Sequence, residues 1–399
     1  MKKREKKDIL RGIIENLPKV PPKCAFAGSC GGCFMQHVAY DDQVNAKQKF
    51  LTSLFEKNNI PLEIGEVVAS PDTFYYRNRM DYPVGKNGEI GLKPAGMWKS
   101  VLNLTECFLL SEETPAILQT VREWMSLHAL AGWDVVKHVG YIRYVVIREG
   151  KRTNERMITI ICNSHPENID VQKVWDDLIN RLRPFATTIY RGMQTSITDV
   201  SETNDLELLC GKEELHEVAG GITFAISPFS FFQTNTKAAE KLQVYVVDEV
   251  MREVTPDSYV LDMYCGTGFL TLPLARNKVR IKGVELVEAA IIKAKENARN
   301  NNLQAEFIAL KAEDHIKSMK TDEHDIIIID PPRAGLHPKV IEKLCEVKPK
   351  TLVYVSCNPS KLVEELPKFL EIFEIKRVRA FDMFPHTPHV ELVLTLELK

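Results

Sequence analysis

Apolar positions follow their clearest pattern in the C-terminal part of the chain. Short, β-branched apolar runs recur there, and the segments between them carry apolar residues at helical spacing. The pattern predicts strands at residues 259–263, 281–286, 305–310, 325–330, 352–356 and 391–398, and helices near 235–253, 287–300, 336–345 and 359–369. Strands and helices that alternate in this way predict an α/β fold, a doubly wound, Rossmann-like sheet over residues 230–399.

Residues 24–229 have a less regular pattern. Apolar runs at 135–147 and 157–161 predict strands of an antiparallel sheet, and residues 171–182 predict a helix, so this part is expected to be an α+β domain. Residues 41–58 predict an amphipathic helix whose apolar face could lie on the C-terminal domain. Residues 1–23 begin with a run of Lys and Arg and are expected to form a basic N-terminal tail.

Composition narrows the class of protein. The 399 residues are 44% hydrophobic and 27% charged, which is ordinary for a globular protein of two or three domains. No apolar run reaches the roughly 18–20 residues that a membrane helix needs, and the charged start lacks a secretory apolar core. We therefore expect a cytoplasmic protein with no membrane partner. The net charge of −2 means that contact with a nucleic acid would need a local basic surface.

A glycine-containing loop follows the first predicted strand of the C-terminal domain. Gly266 and Gly268 would allow a tight turn and a close approach of the backbone to a ligand. Glu285, 19 residues after Gly266, ends the next strand, where a carboxylate suits the ribose hydroxyls of an adenosine. The third glycine of the dinucleotide fingerprint is missing, which favours S-adenosylmethionine over NAD.

Three further candidates for chemistry lie at the ends of predicted strands. Asp330 precedes two prolines at the end of a buried strand, and Cys357 ends the next strand before a helix start. A helix N-terminus is expected to lower the pKa of the Cys357 thiol and favour its use as a nucleophile. Glu391 begins the last strand and is a candidate general base. One thiolate, one base and a polar group are what methylation of uracil at C5 requires.

Five motifs resemble those of the RNA uracil-5-methyltransferase family, which makes 5-methyluridine in 23S rRNA and tRNA. They are Phe231-Phe-Gln-Thr-Asn235, Asp262-Met-Tyr-Cys-Gly-Thr-Gly268, Asp330-Pro-Pro-Arg-Ala-Gly335, Ser356-Cys-Asn-Pro359 and Pro385-His-Thr-Pro-His-Val-Glu391. The resemblance implies a methyltransferase domain at 230–399, with Cys357 as the nucleophile and Glu391 as the proton acceptor. It also places Gln233, Tyr264, Phe269, Glu285 and Asp330 at positions that bind S-adenosylmethionine.

The chain departs from the family pattern in two places. About 23 residues precede Cys24, so the small β-barrel RNA-binding module with which many members begin is not expected. Lys311 stands where an Asp or Asn usually follows the third strand, so the contact with the adenine could fall to Glu313 or Asp314 instead.

Three of the nine cysteines lie close together in the sequence, at Cys24, Cys30 and Cys33, and Cys107 follows at a distance. Four thiolates suit either a tetrahedral zinc or an iron–sulfur cluster, and the spacing alone does not decide between them. The resemblance favours a [4Fe-4S] cluster, because the rRNA branch of the family carries one on these cysteines. We therefore expect the central domain to hold an iron–sulfur site.

Other functions were weighed against this one. A radical S-adenosylmethionine enzyme would need its cluster at the cofactor, and an amino-group methyltransferase would not need Cys357. A cytosine-5 enzyme usually has Pro before its cysteine, where this chain has Ser356. A non-catalytic RNA-binding protein would not need the intact set of candidate residues.

The cluster cysteines favour 23S rRNA as substrate, with the T-loop uridine of tRNA as the alternative. We expect a monomer and no DNA partner.

Overall fold

The computed structural model describes residues 3–164, 170–320 and 324–399, with residues 3–8 described by their backbone alone. The basic side chains of the first eight residues therefore lie outside the described part. None of the described helices combines the length and the apolar character that crossing a membrane requires.

The chain begins with two helices, and the first replaces part of the expected tail. They are α1 (Lys3–Glu15) and α2 (Tyr40–Lys57). The expectation of a tail is wrong for residues 3–15, because Leu10 and Ile14 are buried at helical spacing in the same apolar cluster as α2. Leu51 and Leu54 of α2 lie in that cluster beside Leu352 and other residues of the C-terminal sheet.

The central part contains a five-stranded mixed sheet covered by two helices. Its elements are β1 (Arg79–Pro83), β2 (Gly91–Leu92), β3 (Leu102–Asn103), α3 (Thr114–Leu127), β4 (Ile142–Glu149), β5 (Arg156–Cys162), α4 (Val171–Leu182), β6 (Thr188–Met193), β7 (Asp205–Cys210), β8 (Leu215–Ala219) and β9 (Ile222–Ile226). The sheet order is β1-β4-β5-β6-β7, and only β5 and β6 run parallel. Trp124 of α3 and Trp175 of α4 fill the core between the helices and the sheet.

Two details of the central part differ from the sequence-based expectation. The strand expected from residue 135 begins only at Ile142, because His138 and Gly140 adopt positive φ angles of 56° and 117° and turn the chain. The β8–β9 hairpin was expected in the central domain. Its Phe224 lies in one apolar cluster with Met157 of the central part and with Leu272 and Ile291 of the C-terminal part, so the hairpin packs between the two.

The C-terminal part is the predicted α/β fold. Its elements are α5 (Thr236–Glu253), β10 (Tyr259–Met263), α6 (Thr271–Arg276), β11 (Arg280–Glu285), α7 (Glu288–Asn300), β12 (Glu306–Ala309), α8 (Ala312–Ser318), β13 (Ile326–Ile329), α9 (Pro338–Val347), β14 (Thr351–Ser356), α10 (Pro359–Phe369), β15 (Phe373–Phe381) and β16 (Glu391–Leu398). The sheet order is β12-β11-β10-β13-β14-β16-β15, with the first five strands parallel and the last two antiparallel to their neighbours. Ligands of such sheets bind at the carboxyl ends of the parallel strands.

Candidate active site

The sheet order brings the three candidate chemical groups to one edge. Strands β13, β14 and β16 are neighbours, so Asp330 after β13 and Cys357 after β14 leave the same edge. Strand β16 runs antiparallel to β14, and Ser356 pairs with Leu392. The first residue of β16, Glu391, therefore lies next to Cys357, which directly follows β14. Three residues that are far apart in the sequence meet in this way.

The three groups influence one another electrostatically. Burial raises the pKa of Glu391 to about 8, and the Asp330 carboxylate adds to the rise while Arg333 opposes it. Burial also raises the pKa of Asp330 to about 7. The Cys357 thiol has its pKa raised to about 11, first by burial and then by Glu391 and Asp330, against the lowering effect of Arg333. The thiol and the two carboxyl groups therefore lie close together, near the guanidinium group of Arg333.

The pKa of Cys357 differs from the expectation. The start of α10 was expected to lower it, but burial and two carboxylates outweigh that effect in the free protein. A thiol with a raised pKa is mostly protonated near pH 7, so the nucleophile forms only when something takes its proton or changes its surroundings.

A cradle for a cofactor lies at the end of β10. Gly266 and Gly268 have φ angles of +53° and +90°, a region that suits glycine. A Cβ at Gly266 would meet no atom within 4 Å, so the loop faces open space on that side. Glu285 fixes the loop, since its carboxylate accepts the Gly266 backbone N–H at 3.3 Å and that of Val287 at 2.9 Å.

A buried carboxyl group lies directly beneath the glycine loop. Asp262 has no exposed surface, and one of its oxygens accepts a hydrogen bond from Thr271 Oγ1 at 2.5 Å. The other oxygen, Oδ1, is buried without a hydrogen-bond partner. Burial raises the pKa of Asp262 to about 7, and the carboxylates of Asp330 and Glu285 contribute. An unpartnered buried oxygen between two candidate cofactor-binding residues fits a site that a polar ligand completes.

Tyr264 directly follows β10 and lines a recess whose lining does not include Gly266, Gly268 or Glu285. Its φ angle of 68° turns the chain out of β10, and its ring lines this recess of about 680 Å³ together with Glu313 and Pro332. Of the three residues considered for the adenine contact, Glu313 lines this recess, whereas Asp314 pairs with Lys317 at 2.8 Å. Lys311 is an exposed residue at the N-cap of α8.

Gln233 and Phe269 belong to the seam between the central and C-terminal parts. The Asn78 side chain donates a hydrogen bond to the Gln233 carbonyl at 2.8 Å. The Phe269 ring lies 5.7 Å from Phe232 and 5.9 Å from Phe224, measured between ring centroids. Phe232 in turn lines the large cavity that contains Cys357, so the cradle and the thiol share one aromatic wall.

The large cavity has a volume of about 1580 Å³. Residues of the N-terminal helices, of the central part and of the C-terminal part line it. Besides Cys357 it contains residues that the sequence did not single out. Among them are Arg77 before β1, Arg79 at the start of β1, Phe34 after the cysteines, His389 before β16, and Lys361 on α10. The motif around Glu391 contains His389 and could have drawn attention to it. Phe34 and Lys361 carry no local signal, because only the packing of distant segments brings them into this cavity.

The cysteine group is brought together, but without a preformed metal site. Cys24, Cys30, Cys33 and Cys107 are all buried. Burial raises the pKa of Cys33 to about 12, with further rises from Cys30, Cys107 and Cys24, which places all four sulfurs within electrostatic range. Among the residues that the structure describes, however, no three His, Cys, Asp or Glu side chains are arranged to hold a metal ion.

A glycine loop and a thiol at the carboxyl ends of strands in one parallel sheet fit the class of methyltransferases that use S-adenosylmethionine, and comparisons with known proteins refine this class. A sequence model of the tRNA (uracil-5-)-methyltransferase family matches residues 212–399. An RNA methyltransferase of Nanoarchaeum equitans is 39% identical over 94% of this chain and 79% of its own length. The tRNA (uracil(54)-C(5))-methyltransferase of Pyrococcus abyssi is 36% identical over 96% of this chain and 88% of its own length.

A solved structure gives the same result. The Pyrococcus abyssi tRNA (uracil-54, C5)-methyltransferase in complex with S-adenosyl-L-homocysteine is similar to this fold with a TM-score of 0.78 and 34% identity, over 92% of this chain and 86% of that one. The chain belongs to the RNA uracil-5-methyltransferase family. It is an RNA uracil-C5-methyltransferase that uses S-adenosylmethionine, which confirms the enzyme class predicted from its motifs.

Proposed function

We propose that this enzyme forms 5-methyluridine in the T-loop of tRNA, at the uridine corresponding to position 54, with Cys357 as nucleophile and Glu391 as proton acceptor. The observation that carries the chemistry is the convergence of Cys357, Glu391 and Asp330 at one sheet edge. The choice of RNA rests on relatives named for uracil 54 of tRNA in Pyrococcus abyssi, Pyrococcus horikoshii and Pyrococcus furiosus. These names favour tRNA over the 23S rRNA preferred from the cysteine pattern.

The residues of the chain divide the reaction between them. The Cys357 thiolate adds to C6 of the extruded uracil, and the electron pair of the C5=C6 bond moves towards O4, so C5 becomes nucleophilic. S-adenosylmethionine supplies the methyl group that C5 takes up. The Glu391 carboxylate then removes the C5 proton, the C5=C6 bond re-forms, and the C6–S bond breaks with its electron pair returning to Cys357. Uracil must leave its stack to reach a thiol at the bottom of a cavity.

The free protein holds Cys357 as a thiol, so substrate binding has to be coupled to its ionisation. Glu391 and Asp330 raise the pKa of Cys357 as long as they are charged, and Arg333 lowers it. We infer that a positively charged cofactor beside this group shifts the balance towards the thiolate, because a nearby cation favours the ionised form.

The cofactor is assigned to the cradle at the end of β10. We assign Glu285 to the ribose, Tyr264 to the adenine side of the cradle, and Gln233, Phe269 and Asp330 to the end that faces Cys357. The open side of Gly266 and the unpartnered Asp262 oxygen support this position.

A direct comparison of two RNAs tests the choice of substrate. Unmodified tRNA and large-subunit rRNA transcripts are incubated with labelled S-adenosylmethionine and digested to nucleosides. We expect label in 5-methyluridine from tRNA, and none from a tRNA transcript in which cytidine replaces the uridine at position 54. Label from 23S rRNA alone would contradict the tRNA assignment and leave the chemistry intact.

We also propose that Cys24, Cys30, Cys33 and Cys107 hold a [4Fe-4S] cluster that clamps the central part of the chain. Four buried thiols within electrostatic range of one another are a suitable donor set, and ligation would remove the cost of burying them unpaired.

Purification without oxygen tests the cluster. We expect a brown protein with about four iron atoms per chain, the stoichiometry of a [4Fe-4S] cluster. The Cys107→Ser variant should lose the colour and the iron. The Cys345→Ser variant, whose half-buried cysteine lies on α9, should keep both. A colourless wild-type protein loaded with zinc would overturn the assignment.

A further inference from the structure

The loop that precedes Glu391 is held from outside its own domain. This loop, residues 382–390, connects β15 to β16 and is called here the β15–β16 loop. The backbone N–H groups of Phe34 and Met35 donate to the His386 carbonyl at 2.7 and 2.9 Å. The Tyr76 hydroxyl donates to the Pro385 carbonyl at 3.1 Å. Segments from the N-terminal half therefore fix the chain just before the proton acceptor.

Gln43 of α2 makes the first attachment of that helix to the loop. Its side-chain oxygen accepts the His386 backbone N–H at 3.0 Å, and its amide nitrogen lies 3.0 Å from His386 Nδ1. The same amide nitrogen donates to the carbonyls of Met35 and Val38 at 3.0 and 2.8 Å. His386 has a φ angle of 64°, an uncommon conformation for a residue with a side chain, so the loop needs support to keep this shape.

A buried ion pair forms the second attachment. Lys47 Nζ lies 2.7 Å from Asp382 Oδ1, and neither side chain has any exposed surface. Lys47 also donates to the Phe384 carbonyl at 3.2 Å. The Tyr40 hydroxyl donates to the second Asp382 oxygen at 3.0 Å and accepts the Ser70 backbone N–H at 2.8 Å. All three residues from α2 thus act on the first half of the loop.

Stability alone is a weak reason for such an arrangement. A buried ion pair gains little over apolar residues of the same size, because both charges have lost their water. The pair instead fixes geometry, because its hydrogen bonds hold the loop in one position relative to α2. The far end of that loop carries His389 and Val390 into the cavity that contains Cys357, and Glu391 follows at the start of β16, next to Cys357.

We propose that α2 is a positioning element for proton abstraction, in which Tyr40, Gln43 and Lys47 hold the β15–β16 loop so that Glu391 stays aligned with C5 of the substrate. This inference rests on the proposed role of Glu391. The three residues are positioning residues, since they touch the loop and not the reacting atoms. Methyl transfer needs only Cys357 and the cofactor cradle, so loosening the loop should slow the later step more than the earlier one.

The later step defines the readout. When Glu391 takes the C5 proton, the C–H electron pair forms the C5=C6 bond, and the C6–S pair leaves with the sulfur of Cys357. If Glu391 is misplaced, the methylated base stays bound to the protein. A mutation that only weakens the fold would lower the amount of active protein without changing the fraction of it that is covalently bound.

The test compares Gln43→Met with Gln48→Met. Both glutamines lie on α2 and bond to backbone carbonyls, but Gln48 donates to Ile64 at 3.0 Å, away from the β15–β16 loop. We expect Gln43→Met to lower kcat about 10- to 100-fold, as misplacement of a reacting group does. The fraction of protein bound to RNA on a denaturing gel should rise at least severalfold, with unchanged affinity for S-adenosylmethionine. Gln48→Met should behave like the wild type in both respects.

A milder variant protects the test against misfolding. Tyr40→Phe removes one hydroxyl and should raise the covalent fraction in the same direction, to a smaller extent. If both Gln43→Met and Tyr40→Phe melt at a lower temperature yet show the wild-type covalent fraction, α2 is only structural and the inference is wrong. Glu391→Gln, measured in parallel, distinguishes failure of the inference about α2 from failure of the proposed role of Glu391. If this variant does not trap RNA, the proposed role of Glu391 itself is wrong.

Discussion

Replacing Cys357 by Ala should abolish methylation of RNA, by at least about 10³-fold, while the affinity for S-adenosylmethionine stays unchanged. Loss of a nucleophile that acts covalently removes the whole pathway and not one contribution to it. The side chain lies in the large cavity, and the cofactor cradle is built from β10 and β11, so the cradle should survive the change. Initial rates with saturating tRNA, together with calorimetric titration of the cofactor, measure both quantities.

The control for this variant is Cys345→Ala. Cys345 is also only half-buried, but it lies on α9, where its thiol donates to the Lys368 carbonyl. This variant should methylate tRNA at the wild-type rate. If Cys357→Ala retained a rate within tenfold of the wild type, covalent catalysis through this thiol would be excluded and direct methylation would have to be considered.

Replacing Glu391 by Gln should trap a covalent complex between the protein and methylated RNA. Release of the product should slow by about 10²- to 10⁴-fold, the range for loss of a general base. Glu391 is buried with its pKa raised to about 8, so a neutral amide of the same shape fits the site without leaving a new buried charge. A denaturing gel with labelled tRNA should show a slowly migrating band after a single turnover.

Glu397→Gln is the matched control on the same strand. Glu397 lies near the other end of β16, where it pairs with Arg377 at 3.5 Å. No trapped complex is expected with it. Free turnover by Glu391→Gln would show that another group removes the C5 proton, and the half-buried Asp330 would be the next candidate because it lies in the same electrostatic group.

The position of three candidate groups at one end of the sheet could be predicted from the sequence, because the signals for it are local. A buried run such as residues 326–329 predicts a parallel strand, and the residue after it must leave the sheet at the carboxyl edge. Asp330, Cys357 and the glycine loop could be placed in this way. Glu391 needed more, since its position depends on the antiparallel register between β14 and β16, which only the folded sheet defines.

The remaining features depend on contacts between distant segments. The first helix looked like a charged tail, because its basic residues outnumber the few apolar ones that bury against α2. The pKa of Cys357 was expected to fall, because the helix start is visible in the sequence whereas its burial beside two carboxyl groups is not. The attachment of α2 to the β15–β16 loop joins residues more than 330 positions apart, as with Lys47 and Asp382 at a separation of 335.

The proposed mechanism requires a covalent bond between the sulfur of Cys357 and C6 of the substrate uracil. Complex trapped with Glu391→Gln can be digested with trypsin and ribonuclease, and the surviving peptide–nucleotide sequenced by mass spectrometry. We expect Cys357 to carry a 5-methylated uridine from the tRNA T-loop, as this mechanism requires. A nucleotide attached to any other residue, or a methylated product formed with no attachment in this variant, would contradict it.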